Sequence, residues 1–273
     1  MSERYALFGN PVRQSKSPAL HAMFARATGQ DMSYEAIEAP PGGFAAALAA
    51  FRAAGGRGGN VTAPFKLDAF AAADWLSPRA QSAGAVNTLK FEDGRILADN
   101  VDGLGLRRDV EVNLARPLAG RRVLMLGAGG AARGALQPFL EAGPAELVLL
   151  NRTVAKAEAL VERFRPLGPI VLADRARLGE RAFDIVVNAT SASLFGERPE
   201  VADGVFGPGT LAYELAYGKG LTPFLAQARA AGAAQLADGV GMLVEQGAEG
   251  FSWWRGVRPQ TAEALAALRV PLA

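Results

Sequence analysis

The chain has 273 residues, of which half are hydrophobic and 21% are charged. This length predicts one large or two medium-sized domains, and this composition excludes wholesale disorder. The formal net charge is only +2, without a long block of like charges, so nucleic-acid binding is not expected. Cysteine is absent and His21 is the only histidine, which excludes disulfides, thiol nucleophiles, Cys/His metal sites and a Ser-His-Asp triad.

Membrane insertion and export are also not expected. Gly, Pro or charged residues interrupt every apolar stretch before the roughly 18 residues that a membrane helix needs. The first five residues lack the basic and apolar regions of a signal peptide. We therefore expect a cytoplasmic protein with no membrane partner. Because cysteine is absent and there is one histidine, we also expect no metal.

The first part of the chain alternates short strands with helices. The patterns predict strands over residues 5–8, 33–37 and up to Thr62, helices over residues 18–27 and 44–53, and a hairpin over residues 88–97. A second block opens near Leu104. Its continuous apolar runs are typical of strands buried on both faces of a parallel sheet, and they cover residues 122–126, 146–150, 170–172, 184–187 and 211–215.

Helical patterns separate most strands of the second block, at residues 130–142, 154–164 and 221–231. Strands and helices in this order predict a doubly wound α/β domain. Residues 239–251 and 260–268 form two predicted terminal helices. The predicted fold class is therefore α/β with two domains, an N-terminal α/β domain and a Rossmann-type domain, separated by a cleft.

A glycine-rich turn follows the first strand of the second block. Gly127 suits the tight turn, Gly129 lets the backbone approach a pyrophosphate, and the helix that begins near Gly130 offers amides and a positive dipole to the phosphates. A strand before the turn and a helix after it indicate a dinucleotide site rather than a turn without ligand.

The residues after the next strand select the cofactor. An NAD site has a carboxylate there, whereas this chain has Asn151, Arg152 and Thr153, with Lys156 one turn later. Arg152 can stack on adenine and contact a 2′-phosphate, so the pattern favours NADP. The alternative is that Arg152 is a solvated loop charge.

Polar side chains also gather near two helix starts of the first block. Ser15 and Ser17 precede a helix marked by Pro18 and can bind a carboxylate, although one of them can equally be an N-cap. Asn60 and Thr62 share one face of a strand. Lys66 lies in the first turn of the next helix, where a cation opposes the dipole; we interpret it as a general acid rather than a solvated lysine.

A carboxylate to pair with Lys66 is available at Asp102. The interpretation places the two across the cleft, with Asp102 orienting the ammonium and a substrate hydroxyl; the alternative is that Asp102 only caps a helix. His21 is expected to be structural.

Together these segments resemble the shikimate dehydrogenase family over nearly the whole chain. The motifs that carry the resemblance are Gly9-Asn10-Pro11, Ser15-Lys16-Ser17-Pro18, Asn60-Val61-Thr62-Ala63-Pro64-Phe65-Lys66, Ala83-Gly84-Ala85-Val86-Asn87-Thr88, Asn100-Val101-Asp102-Gly103, Gly127 to Ala131, Asn151-Arg152-Thr153, Asn188-Ala189-Thr190-Ser191 and the stretch from Ala237 to Gln246.

The resemblance implies reversible reduction of 3-dehydroshikimate to shikimate with NADPH, in aromatic amino-acid biosynthesis. It implies Lys66 and Asp102 as the catalytic pair. The implied substrate residues are Ser15, Ser17, Asn60, Thr62, Asn87, Tyr217 and Gln246. The implied cofactor residues are Gly127, Ala128, Gly129, Gly130, Ala131, Asn151, Arg152, Thr153, Lys156, Leu215 and Gly239. The implied substrate domain is residues 1–103 with 239–273, and the implied NADP domain is residues 104–238.

The sequence departs from the family pattern at Gln14, where many members look to have His, at Glu214, where Asp is usual, and in the loop over residues 191–195. Two alternatives stay open. One is a quinate or mixed shikimate/quinate dehydrogenase; the other is a metabolite sensor that keeps the fold without turnover. A monomer and a homodimer are both compatible with the sequence.

Overall fold

The computed structural model describes residues 2–272. It divides the chain into two compact units. One extends to Gly105 and includes Val244–Ala267; the other comprises Leu106–Leu243 and the segment from Leu268. Within residues 2–272, every helix is too short or too polar to span a lipid bilayer.

The first unit is built on a six-stranded mixed sheet with strand order β2-β1-β3-β5-β6-β4. The strands are β1 (Glu3–Gly9), β2 (Met32–Glu38), β3 (Gly56–Val61), β4 (Trp75–Leu76), β5 (Thr88–Glu92) and β6 (Arg95–Asp99). The helices that connect or follow them are α1 (Ser17–Thr28), α2 (Phe44–Ala53), α3 (Lys66–Ala72), α4 (Pro78–Ala83) and α5 (Asp102–Arg108). β5 and β6 pair antiparallel and form the predicted hairpin.

Aromatic side chains form much of this unit's core. Phe8 of β1 makes edge contacts with Phe44 and Phe51 of α2, at centroid distances of 5.9 and 5.6 Å. On the other face, Trp254 of α9 (Val240–Arg255) stacks on Tyr5 at 4.7 Å and donates from Nε1 to the Leu89 carbonyl at 2.9 Å. A Cβ on Gly58 would lie 2.5 Å from that same carbonyl, so only glycine allows this approach.

The second unit contains an all-parallel sheet of six strands in the order β12-β11-β10-β7-β8-β9. The strands are β7 (Arg122–Leu126), β8 (Glu146–Leu150), β9 (Ile170–Leu172), β10 (Ile185–Asn188), β11 (Leu211–Glu214) and β12 (Gln235–Ala237). The helices are α6 (Gly130–Glu141), α7 (Val154–Phe164) and α8 (Pro223–Ala230). α10 (Ala262–Leu268), near the end of the chain, belongs to the first unit except for Leu268.

The alternation along β7 explains why both faces of this sheet are covered. Val123 and Met125 join a core with Phe139 of α6 and Phe164 of α7. Leu124 and Leu126 belong to a second core on the opposite face, which includes residues of α8 and the segment from 183 to 206. A sheet buried on both sides in this way confirms the predicted doubly wound fold.

The predicted and observed elements agree closely where apolar runs are long. β7, β8, β9 and α7 have the predicted bounds, whereas α9 continues to Arg255, four residues beyond the predicted end at residue 251. No sequence pattern predicted β4, α4 and β12, which have two, six and three residues, or the π-helical turn at Asp109–Asn113. Elements this short leave no periodic pattern in a sequence.

Candidate functional site

The structure places the Lys66 ammonium 2.5 Å from Oδ2 of Asp102. Lys66 is the first residue of α3, and the preceding residue, Phe65, is buried and stacks on Phe44. The Lys66 side chain is 27% exposed and that of Asp102 is 9% exposed, so the ammonium keeps access to solvent while the carboxylate is nearly covered. The two residues belong to the same compact unit, and both fall within residues 1–103, which the sequence assigns to one domain.

Asn87 fixes the orientation of the Asp102 carboxylate. Its side-chain Nδ2 donates to Oδ1 of Asp102 at 2.7 Å, the oxygen that Lys66 does not contact. Its Oδ1 accepts from the backbone N–H of Val101 at 2.9 Å and from the hydroxyl of Thr88 at 3.0 Å. Since both ends of the amide are used, it can adopt only one of its two flipped orientations.

Asn100 holds the chain that leads to Asp102. Its Nδ2 donates to the Ala85 carbonyl at 3.1 Å, and its Oδ1 accepts the backbone N–H of Asp102 at 3.2 Å. Asp102 is the first residue of α5, one position after the N-cap, and its two carboxylate oxygens bind the side chains of Asn87 and Lys66. The Asp102 carboxylate therefore holds the Lys66 and Asn87 side chains together in one group.

Asn60 lies beside this group, and its environment was not predicted. Its Nδ2 donates to the Thr88 hydroxyl at 3.1 Å and to the Asn87 carbonyl at 3.3 Å, and its Oδ1 accepts from the Tyr34 hydroxyl at 2.8 Å. Burial raises the pKa of Tyr34 well above its usual value, so the hydroxyl stays a donor. Thr62 follows β3 and is partly exposed.

His21 stacks on the ring of Tyr34, at a centroid distance of 4.2 Å. Burial lowers the pKa of His21 to about 3, although the neighbouring Asn60 side chain favours the protonated ring. Neither ring nitrogen meets hydrogen-bond geometry with a partner within residues 2–272. The ring is thus neutral at physiological pH, which agrees with a structural role.

The two predicted carboxylate-binding serines have their hydroxyls together at the start of α1. Ser15 Oγ donates to Ser17 Oγ at 3.3 Å and accepts the backbone N–H of Ser17 at 3.2 Å. Ser17 is buried, and Ser15 is partly exposed. The arrangement leaves a polar surface at the helix start.

Gln246 lies on α9 and approaches Asn87. Its Oε1 is 3.5 Å from Nδ2 of Asn87, at the limit of a hydrogen bond. Gly105 of α5 makes this position possible, because a Cβ there would lie 2.5 Å from the Gln246 backbone nitrogen. This role of Gly105 was not predicted. Its signal in the sequence is a second glycine inside a helix, where glycine is unfavourable.

The glycine-rich turn of the second unit has room for a ligand. Gly127 has φ of +106°, and a Cβ on it would lie 3.0 Å from the Ala189 carbonyl. At Gly129 and Gly130, by contrast, a Cβ would meet no atom within 4 Å. This open space lies at the first residue of α6 and at the residue before it, where a helix start suits a pyrophosphate. Ala128 and Ala131 belong to the same turn and helix start.

The end of β8 carries the predicted cations. Asn151 folds its own loop, with Nδ2 donating to the Thr153 carbonyl at 2.8 Å, and Thr153 is the residue before α7. Arg152 and Lys156 are exposed and form no ion pair within residues 2–272. Unpaired cations without a carboxylate fit the 2′-phosphate of NADP.

Leu215, Gly239 and Tyr217 also lie in the second unit. A Cβ on Gly239 would be 2.1 Å from the Leu215 carbonyl, so the chain before α9 packs on the end of β11 through glycine. Tyr217, two residues beyond Leu215, is 36% exposed.

Glu214 is fully buried at the end of β11 and ties three segments together. It accepts hydrogen bonds from Asn188 Nδ2 at 2.9 Å, from the Thr222 hydroxyl at 3.3 Å, from the Ala216 backbone N–H at 3.1 Å, and from the Ser193 hydroxyl. Burial raises the pKa of Glu214, and these donors partly offset that effect. The departures from the family pattern at Glu214 and at residues 191–195 thus contact each other.

Comparison with known proteins gives consistent matches along the chain. Residues 7–89 match the family model described as shikimate dehydrogenase substrate binding domain, residues 110–200 match shikimate / quinate 5-dehydrogenase, and residues 239–269 match the shikimate 5'-dehydrogenase C-terminal domain.

Individual proteins are similar to this chain over nearly its whole length. The chain is 58% identical over 270 residues to shikimate dehydrogenase (NADP(+)) of Aromatoleum aromaticum, covering 98% of this chain and 97% of the relative. An Ael1 enzyme from Pseudomonas putida is 56% identical, with a TM-score of 0.95 and full coverage of both chains. Shikimate 5-dehydrogenase from Thermus thermophilus, solved with NADP(H) and shikimate, is 35% identical with a TM-score of 0.88 and 98% coverage of both chains. The chain therefore belongs to the shikimate dehydrogenase family.

Proposed function

We propose that this chain reversibly reduces 3-dehydroshikimate to shikimate with NADPH, a step of aromatic amino-acid biosynthesis. The carrying observation is the 2.5 Å contact between the Lys66 ammonium and the Asp102 carboxylate, with the second carboxylate oxygen held by Asn87. A proton donor in a fixed position beside polar amides and hydroxyls is what reduction of a polyhydroxylated ketone requires. The comparisons support the same activity, because the curated relatives bear the name shikimate dehydrogenase (NADP(+)).

NADPH, when bound, would supply the hydride for the carbonyl carbon. As charge develops on the carbonyl oxygen, the Lys66 ammonium donates a hydrogen bond and then a proton to it. Asp102 holds the ammonium in place throughout. Since Lys66 is 27% exposed, its amine regains a proton from solvent, and in the reverse direction the amine accepts the proton of the substrate hydroxyl.

The substrate residues are proposed from the motifs and supported by their placement. Ser15 and Ser17 hold the substrate carboxylate with the help of Tyr217, and the ring hydroxyls are held by Asn60, Thr62, Asn87, Asp102 and Gln246. The close hydrogen bonds among Asn60, Asn87 and Asp102 support a shared role, because they orient these side chains before a ligand arrives.

The cofactor residues are proposed in the same way. Gly127 to Ala131 hold the pyrophosphate, and Asn151 to Thr153 with Lys156 hold the adenosine 2′-phosphate. Leu215 and Gly239 are further cofactor contacts. We assign the substrate to residues 1–103 with 239–273 and NADP to residues 104–238. The two compact units support this division, although residues 239–243 and those from Leu268 group with the second unit.

The test is reduction of NADP⁺ followed at 340 nm with shikimate, in parallel with quinate, and with NAD⁺ in place of NADP⁺. We expect kcat/KM for shikimate with NADP⁺ to exceed the other pairings at least tenfold. Comparable turnover of quinate or use of NAD⁺ would identify the mixed-specificity alternative. Saturable shikimate binding without turnover would identify the sensor. A cytoplasmic location and a monomeric or homodimeric state stay predictions of the sequence.

A further inference from the structure

The second unit contains a cavity of about 490 Å³ that the motifs do not account for. It opens beside the end of β8, with apolar walls from Leu150, Leu178 and Val201 and with the cations Arg175 and Arg198 at its edge. This volume lies within the range of small-molecule sites, and apolar walls with a few charged groups are typical of them.

Sheet geometry brings Arg175 to the loop that selects the cofactor. β8 and β9 pair in parallel with Leu149 opposite Leu172, so both strands end at the same edge. The pairing continues one residue further, since the Ala173 N–H donates to the Leu149 carbonyl at 3.0 Å. Arg175 follows two residues later, and its Nη2 donates to the Asn151 carbonyl at 3.2 Å.

That hydrogen bond occupies only part of the guanidinium. An arginine has five N–H groups, of which Asn151 uses one, and Arg175 forms no ion pair within residues 2–272. Arg198 reaches the same cavity from the segment after β10 and also has no ion-pair partner in the described chain. The lining of the cavity therefore has two arginines without an ion-pair partner in the described chain and one carboxylate, Glu200, which leaves an excess of positive charge.

We propose that Arg175 is a specificity-determining residue that binds the 2′-phosphate of NADP from the side opposite Arg152, with the adenosine lying against the cavity beside Leu150. This inference rests on the proposed use of NADP. The position of Arg175 separates its role from pyrophosphate binding, because it contacts the loop after β8, where a Rossmann domain reads the ribose 2′ position. Planar guanidinium groups bind phosphate oxygens through two parallel N–H groups, which makes two arginines a suitable pair around one phosphate.

The test measures fragment binding by calorimetry, which does not depend on turnover. Adenosine 2′,5′-bisphosphate and AMP, which differ only in the 2′-phosphate, are titrated into the full-length wild type, Arg175→Ala and Arg175→Lys. We expect Arg175→Ala to weaken the bisphosphate about tenfold, the scale of one hydrogen bond to a charged group, and to leave AMP within about twofold. Arg175→Lys keeps the charge and retains part of the preference.

Arg177→Ala is the matched control, because Arg177 lies on the same exposed loop but pairs with Glu180 at 3.2 Å. It should leave both fragments unchanged. Equal weakening of both fragments by Arg175→Ala, or no weakening, would overturn the assignment of Arg175. If wild type itself fails to prefer the bisphosphate over AMP, then the proposed use of NADP fails, and the inference fails with it.

Discussion

A methyl group on Gly105 would lie 2.5 Å from the backbone nitrogen of Gln246 and 2.8 Å from its Cα. Helix α5 therefore touches the backbone of α9 at a point where α5 has no side chain. Gln246 reaches Asn87 from this position, so the contact sets the location of a proposed substrate residue.

We expect Gly105→Ala to lower the stability of the protein and its affinity for the substrate, although alanine has the higher helix propensity. Alanine in a helix is favoured over glycine by about 1 kcal/mol, whereas overpacking against backbone costs about 1–3 kcal/mol. The steric cost exceeds the gain, so the free energy of unfolding should fall by about 1 kcal/mol, and KM for shikimate should rise because Gln246 moves. Gly250→Ala is the control: its Cβ would lie 3.5 Å from its nearest neighbours, an ordinary contact. Equal stability of the two variants would contradict the argument.

Removal of the Lys66 ammonium should affect the chemical step more than binding. We expect Lys66→Ala to lower kcat by ~10²–10⁴-fold with a much smaller change in KM, because the lost interaction acts as charge develops on the substrate oxygen. Lys90→Ala is the matched control, since Lys90 is a similarly exposed lysine of the same unit that pairs with Glu92 at 2.9 Å. A kcat of Lys66→Ala within about threefold of wild type would remove Lys66 from the reaction.

His21 should make the fold sensitive to acid. Its pKa is about 3 in the folded protein, against 6.5 for an ordinary histidine, so the unfolded chain binds a proton that the folded chain does not. The stability that depends on a neutral ring is present above pH 6.5 and is lost as the pH falls toward 3. Phenylalanine keeps a planar ring and cannot titrate. Urea unfolding between pH 4 and 7 should therefore give a shallower pH slope for His21→Phe than for wild type, and parallel curves would refute this account.

Loss of the Glu214 carboxylate should destabilise the second unit. Its four donors come from β10, from the segment that includes Ser193, from the chain after β11, and from the residue before α8. Glu214→Ala leaves these buried groups without their acceptor, and we expect a loss of about 2–4 kcal/mol in the free energy of unfolding. Glu197→Ala, at an exposed position of the same unit, should change stability by no more than about 0.5 kcal/mol. A result for Glu214→Ala as small as that control would argue against the network.

The sequence predicted the Rossmann-type unit better than the first unit for a physical reason. Strands such as β7 and β8 are buried on both faces, so a run of consecutive apolar residues marks each one. β4 has two residues, Trp75 and Leu76, and exists because they pair with Leu97 and Ala98 of β6. A strand defined by its partner rather than by its own composition leaves little trace in local sequence.

The candidate site was predicted in part. The pairing of Lys66 with Asp102 was expected from residue types, and the two side chains are in contact within the first unit. The hydrogen bond from Tyr34 to Asn60 was not expected, because it joins residues 26 positions apart on non-neighbouring strands. Local patterns reveal which groups have suitable chemistry, whereas such contacts depend on strand order.

The amide of Asn87 has a consequence for how the site responds to temperature. Because its oxygen and its nitrogen are both engaged within the protein, the side chain loses its rotational freedom when the chain folds and not when a ligand binds. The ordering of Asn87 therefore adds no entropic penalty to ligand binding. On warming, the contribution of Asn87 to the free energy of ligand binding should therefore fall less than that of a side chain that the ligand itself must immobilise.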